Sequence, residues 1–129
     1  MPDPNHLAAI DTLLALLVTF VFSGRVGYLR GKYKVDAPAT VGNPDFERGF
    51  RIHANTVENL VLFVPLLWLA TVYYGGQLAF WIGLIWVLSR VVYAYGYAQT
   101  NTQMRGPGAG IGYLCLLALA VLAVIGIAR

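Results

Sequence analysis

Between Glu47 and Glu58 the sequence spaces cations, anions and an amide as one face of a helix would. At about 100° per residue, Glu47, Arg48, Arg51, Ala54, Asn55 and Glu58 fall within roughly a third of the circumference. Leu62 continues the line, and His53 points nearly the opposite way. Glu47 and Arg51 are spaced i, i+4, so the first turn also reads as an ordinary solvated helix end. That reading weakens at Asn55 and Glu58, because an unbroken apolar block from Leu60 to Tyr74 follows at once. A carboxylate at the edge of such a block is costly in lipid, so it should turn toward protein and find a partner. A second group, Arg90, Tyr93 and Tyr97, lies further on at i, i+3 and i+7. Counted from the Gly75-Gly76 turn, Glu58 and Arg90 reach similar depth, which predicts that they pair.

The chemistry these residues could do is recognition of a small zwitterion. Arginine grips carboxylates through paired hydrogen bonds. A carboxylate and an amide suit an ammonium group and a peptide bond, and tyrosine hydroxyls can hold either. The set fits a peptide better than a lipid head or a metal. No Cys/His/Asp/Glu cluster has metal-ligand spacing, His6 and His53 being isolated. No phosphate-loop or dinucleotide glycine pattern is present. Cys115 stands alone in an apolar run, so no disulfide forms within the chain and the residue reads as a small buried hydrophobe.

Only helices crossing a membrane could hold such a set where it lies. Apolar residues make up 58% of the 129 and charged residues 12%, too few charges for a soluble domain of this size to cover its surface. Runs near the ~20 residues that span hydrocarbon predict one all-α domain over 1–129. Its helices are expected at about 6–30, 45–74, 77–100 and 109–128. Gly75-Gly76 should close a tight turn, and Gly106-Pro107-Gly108 should break the chain before the last helix. The N-terminus lacks a basic leader and a clear cleavage site, so the first helix is expected to be retained. Arg25, Arg30, Lys32, Lys34 and Arg48 crowd the first connection, Arg105 marks the third, and the second has no charge. Positive-inside bias then puts loops one and three in the cytoplasm and both termini opposite. The net charge of +3 is juxtamembrane charge, not a nucleic-acid footprint.

The segment Phe46-Glu47-Arg48-Gly49-Phe50-Arg51-Ile52-His53-Ala54-Asn55-Thr56-Val57-Glu58-Asn59 resembles the E-R-x-x-R-x-x-x-N-x-x-E signature of the membrane-associated proteins in eicosanoid and glutathione metabolism, the MAPEG family. Arg90-Val91-Val92-Tyr93-Ala94-Tyr95-Gly96-Tyr97 is similar to the third-helix R-x-x-Y-x-x-G-Y of its leukotriene C4 synthase branch. The resemblance covers essentially the whole chain. It implies a four-helix bundle assembled as a homotrimer, with glutathione as co-substrate between adjacent subunits near the cytoplasmic face. Glutathione contacts carried over residue by residue are Arg51, His53, Asn55 and Glu58 on the second helix and Arg90, Tyr93 and Tyr97 on the third. Arg30 matches a basic position reaching in from the neighbouring subunit. The family's thiol-activating arginine is matched by Arg105, in the context Gln103-Met104-Arg105, with one extra residue between it and Tyr97. Asn59 departs from the aromatic or aliphatic residue of many relatives, and Ala54 lacks an arginine that some members use.

The implied reaction is attack of the glutathione thiolate on a lipophilic electrophile, with reduction of lipid hydroperoxides as a related activity. Nothing in the apolar lining, Trp68, Trp81 and Trp86 included, names the second substrate. Two other classes stay open on the sequence: a small four-helix transporter with a membrane-embedded glutamate, and a non-catalytic relative that binds a lipid.

Overall fold

A computed structural model describes residues 2–99 and 102–129, of which 102–105 as backbone only. The chain is an all-α membrane bundle of four helices: α1 (Pro4–Tyr33), α2 (Pro44–Tyr73), α3 (Gly76–Ala98) and α4 (Thr102–Ala128). All four contain a stretch long and apolar enough to cross a bilayer. α2 and α3 form the middle of the bundle. α1 packs on one side of that pair and α4 on the other, and the two flanking helices do not touch among the described residues. The second connection is the tight turn expected. Gly75 caps α3 at φ 149°, a conformation that a side chain would strain.

Local chemistry sets the helix starts. The Asn43 side chain accepts the backbone N–H groups of Asp45 (2.9 Å) and Phe46 (3.2 Å), and Pro44 occupies the first helical position, where its missing N–H is harmless. Asp45 and Glu47 in that first turn complement the helix dipole. α1 ends at Lys34, which turns left-handed at φ 55° and returns its N–H to Arg30.

One expected boundary is overturned. Gly106-Pro107-Gly108 does not break the chain, because α4 already begins at Thr102 and runs through it. Gly108, the last residue of that motif, lets α4 dock on α3, and Gly112 one turn on does the same. A Cβ at Gly108 would lie 2.7 Å from the Tyr93 backbone nitrogen, and one at Gly112 would lie 3.2 Å from Ser89 Oγ. α4 carries Pro107, which forfeits one helical hydrogen bond, next to the Gly108 approach to the Tyr93 backbone.

At the centre Phe63 stacks on Trp86 with ring centroids 4.0 Å apart and planes 7° from parallel. Leu67, Ala15, Ala70, Ala79 and Leu119 close around them. The outer faces stay apolar: Phe20, Leu13 and Val61 are all exposed, as a surface in contact with lipid or another chain requires. Of the three tryptophans, Trp86 is core, Trp81 faces outward, and Trp68 donates its indole N–H to Thr12 Oγ1 at 3.1 Å.

Asp11 is a polar intrusion into this core. It is 0% exposed, neither carboxyl oxygen has a hydrogen-bond partner among the described residues, and Oδ2 points at the bare face of Gly83. A buried polar group without a partner is destabilising by about 1–3 kcal/mol. Asp11→Ala should therefore raise the thermal unfolding temperature in detergent. A lower temperature would mean that the carboxyl has a favourable partner.

Candidate functional site

The charged stripe lies on the first half of α2, at the end of the bundle where α1 finishes. Glu47, Arg48, Ala54 and Asn55 are half-buried, while Arg51 and Glu58 are exposed. The same exposed face continues through Val61, Leu62, Pro65, Leu69 and Val72. α2 thus presents an apolar stripe ending in an arginine and a glutamate, and both charges stay exposed among the described residues. His53 is half-buried on another side of the helix. Arg48 pairs with Asp45 one turn back, the single ion pair among the described residues, so it is engaged within its own helix end.

On α3, Arg90 is fully buried and Tyr93 nearly so, at 7% exposure, while Tyr97 is half-buried. The Tyr93 and Tyr97 rings lie 5.6 Å apart, and the Arg90 guanidinium sits 4.3 Å from the Tyr93 ring centre, close enough for a cation–π contact.

The predicted pairing of Glu58 with Arg90 does not form. Arg90 donates through Nη2 to Asn55 Oδ1 at 3.0 Å. Asn59 adds a donor from one turn further along, reaching the Asn55 carbonyl at 3.0 Å and Oδ1 at 3.5 Å. Depth alone, counted from the turn, did not distinguish the residues of one helical turn. Azimuth does: Asn55 and Asn59 face α3, and Glu58 is rotated onto the uncovered side.

Arg30 is also occupied. Its Nη1 donates to the carbonyls of Ala39 (2.7 Å) and Val35 (3.3 Å), and its guanidinium lies 4.8 Å from the Phe46 ring centre. It ties the first connection down onto the start of α2. Beside that connection a recess of about 300 Å³ opens between Thr40, Val41, Glu47, Phe50 and Arg51, with charge of both signs in its wall. The larger cleft, about 500 Å³, is at the opposite end of the bundle between the first residues and the Tyr74–Leu78 turn. It holds none of the stripe.

The structure therefore brings Asn55, Arg90, Tyr93 and Tyr97 into one connected group and sets Arg51 and Glu58 on the free face beside it. Arg30 and His53 are held apart from that group within one chain. Arg105 lies in α4 by its backbone, and its side chain is outside the described residues. Sequence reasoning treated Asn59 only as a departure from a pattern. Its spacing of i+4 from Asn55 was the available signal for an amide ladder. Among the described residues no three His, Cys, Asp or Glu side chains converge.

Known proteins resemble this chain over most of its length. The MAPEG family profile matches residues 8–125. An uncharacterized protein of Synechocystis is 41% identical over 119 residues, covering 92% of this chain and 86% of its own length. Human microsomal glutathione S-transferase 2 is 38% identical over 124 residues, covering 95% and 82%. Guinea-pig (Cavia porcellus) leukotriene C4 synthase is 36% identical over 124 residues, covering 95% and 83%. With a profile match over nearly its whole length and relatives at this identity, the chain belongs to the MAPEG family.

Proposed function

We propose that this chain is a membrane glutathione transferase that binds glutathione between copies in a homotrimer and activates it as a thiolate. The observation that carries the reading is the free face of α2. Arg51 and Glu58 are exposed there, beside the Asn55–Arg90 group, in a chain whose relatives include a microsomal glutathione S-transferase and a leukotriene C4 synthase. An uncovered carboxylate next to lipid is unfavourable, and a second copy laid along the apolar stripe would bury it beside a ligand. Arg51 offers a bidentate grip on a ligand carboxylate, and Glu58 offers an acceptor for its ammonium group. Tyr93 and Tyr97 add ring and hydroxyl surface on the α3 side. Arg30 and His53 join the site from the adjacent subunit.

In the reaction the glutathione S–H bond breaks, its proton leaves to water, and the sulfur electron pair forms a C–S bond to a lipophilic electrophile, which takes up the charge or expels a leaving group. A free thiol titrates near 8.5, and lowering that by about two units takes roughly 2.7 kcal/mol. One charge-assisted hydrogen bond from Arg105, at ~1.5–3 kcal/mol, supplies most of it. Holding the tripeptide still lowers the entropic barrier to attack. Reduction of a lipid hydroperoxide by two glutathione molecules, giving the alcohol, water and glutathione disulfide, is a second reaction open to the same thiolate. Loops one and three face the cytoplasm, where glutathione is available to the site.

Titration calorimetry of the detergent-solubilised chain with glutathione tests the reading. Micromolar-to-millimolar binding that Glu58→Ala weakens by about tenfold, as expected for loss of a charged hydrogen bond, supports it. No binding to the wild type would exclude it.

A further inference from the structure

We propose that Arg90 is a positioning residue whose task is to lock the Asn55 amide as a hydrogen-bond donor, so that Asn55 recognises an acceptor oxygen of the ligand, a carboxylate or peptide carbonyl, and not its ammonium group. The inference rests on the glutathione reading and adds to it which atoms of the peptide Asn55 takes.

Arg90 is 0% exposed within a single chain. No ligand reaches its guanidinium unless a protein side chain is displaced. What Arg90 touches instead are two members of the site, Asn55 through a 3.0 Å hydrogen bond and Tyr93 through its ring face. The orientation of the Asn55 amide then follows from chemistry. Guanidinium has five donors and no acceptor, so only the oxygen of Asn55 can face it. Asn59 reinforces the same orientation. Its Nδ2 donates to the Asn55 main-chain carbonyl at 3.0 Å and lies 3.5 Å from Asn55 Oδ1, and the reverse orientation of Asn55 would set two N–H donors against each other. With its oxygen held from behind by one or two donors, Asn55 has only its N–H groups to offer a ligand. Asn55 is half-buried and lies between Arg51 and Glu58 along α2, within reach of whatever those residues bind.

This divides the labour along one helix face. Arg51 and Asn55 are donors for the ligand's oxygens, and Glu58 is the acceptor for its cation. A flipped Asn55 would leave a lone pair facing a carboxylate. The buried cation is thus a selector for ligand polarity acting through one amide.

The test is a double-mutant cycle on the full chain in detergent, with glutathione affinity read by calorimetry. Absence of binding to the wild type would sink the glutathione reading itself, a result distinct from those that follow. Where the wild type binds, Asn55→Ala and Arg90→Met are each expected to weaken glutathione by about tenfold, the value of one well-made hydrogen bond. The double variant should bind no more weakly than Asn55→Ala alone. In turnover with a chlorodinitrobenzene electrophile the loss should fall on KM for glutathione rather than on kcat. Losses that multiply in the double variant would show Arg90 acting on the ligand independently of Asn55 and overturn the proposal. Asn55→Asp covers the case in which Arg90→Met does not fold, because it keeps a partner for the buried cation while removing the donor. It should bind as poorly as Asn55→Ala, and wild-type affinity in that variant would overturn the proposal.

Discussion

Arg105→Ala should still bind glutathione but no longer hold it as the thiolate. The expected signature is loss of the thiolate band in the ultraviolet difference spectrum, with a calorimetric affinity close to that of the wild type. Returning the thiol to its ordinary range, about two units higher, leaves about a hundredfold less thiolate at neutral pH. Conjugation should slow by a similar factor, since the thiolate is the nucleophile. On the proposed reading binding should persist, because Arg51, Asn55 and Glu58 would hold the charged ends of the peptide and do not need the sulfur. An unchanged thiolate band in Arg105→Ala would remove that residue from the chemistry and leave its positive charge as an orientation signal only.

Gly108→Val should cost most of the folded protein. Its Cβ would lie 2.7 Å from the backbone nitrogen of Tyr93 and 2.9 Å from its Cα, and neither atom is free to rotate away. α4 would have to shift off α3, a loss of about 3 kcal/mol or more by the scale of overpacked interiors. Gly106→Ala and Gly110→Ala are the controls, since no atom lies within 4 Å of a Cβ at either position. Those two should be tolerated or slightly stabilising, because alanine is the better helix former by about 1 kcal/mol. Thermal unfolding and the size-exclusion peak in detergent read both outcomes. Equal tolerance at all three positions would show that the α3–α4 approach at Gly108 is not tight. Gly108 is about one turn beyond Arg105 along α4, and it rests on Tyr93, so the same seam holds the start of α4 against α3.

Uncovered charge on α2 and the ionisable groups buried on α1 and α3 have different consequences. Arg51 and Glu58 are exposed in the single chain, and the proposed reading takes their partners from outside it, from ligand or from a second copy. Arg90 and Asp11 are enclosed, and their effects are internal: one organises Asn55, and the other burdens the α1–α3 contact. For this reason Asp11→Ala is expected to stabilise and Arg90→Met to weaken binding, although both remove an ionisable group from the interior of the same bundle.

Four apolar runs, the glycine turn between α2 and α3, and the one-sided charge pattern from Glu47 to Glu58 were all legible in the linear order of residues. Each depends on short-range rules: the length needed to cross hydrocarbon, the need for glycine at positive φ, and the 3.6-residue period. Partner choice was not legible, because it depends on how two helices are rotated about their own axes. A rotation of less than one residue step decides whether Arg90 meets Glu58 or Asn55, and interhelical packing sets that rotation: Phe63 on Trp86 between α2 and α3, and Gly108 on Tyr93 between α3 and α4. The same packing carried α4 through Gly106-Pro107-Gly108, where local propensity argued for a break. Residue types and spacing therefore established the membrane bundle and singled out the groups proposed to grip a peptide. Which of those groups stand exposed and which are buried behind them followed from close contact between helices, a long-range property that no window of sequence contains.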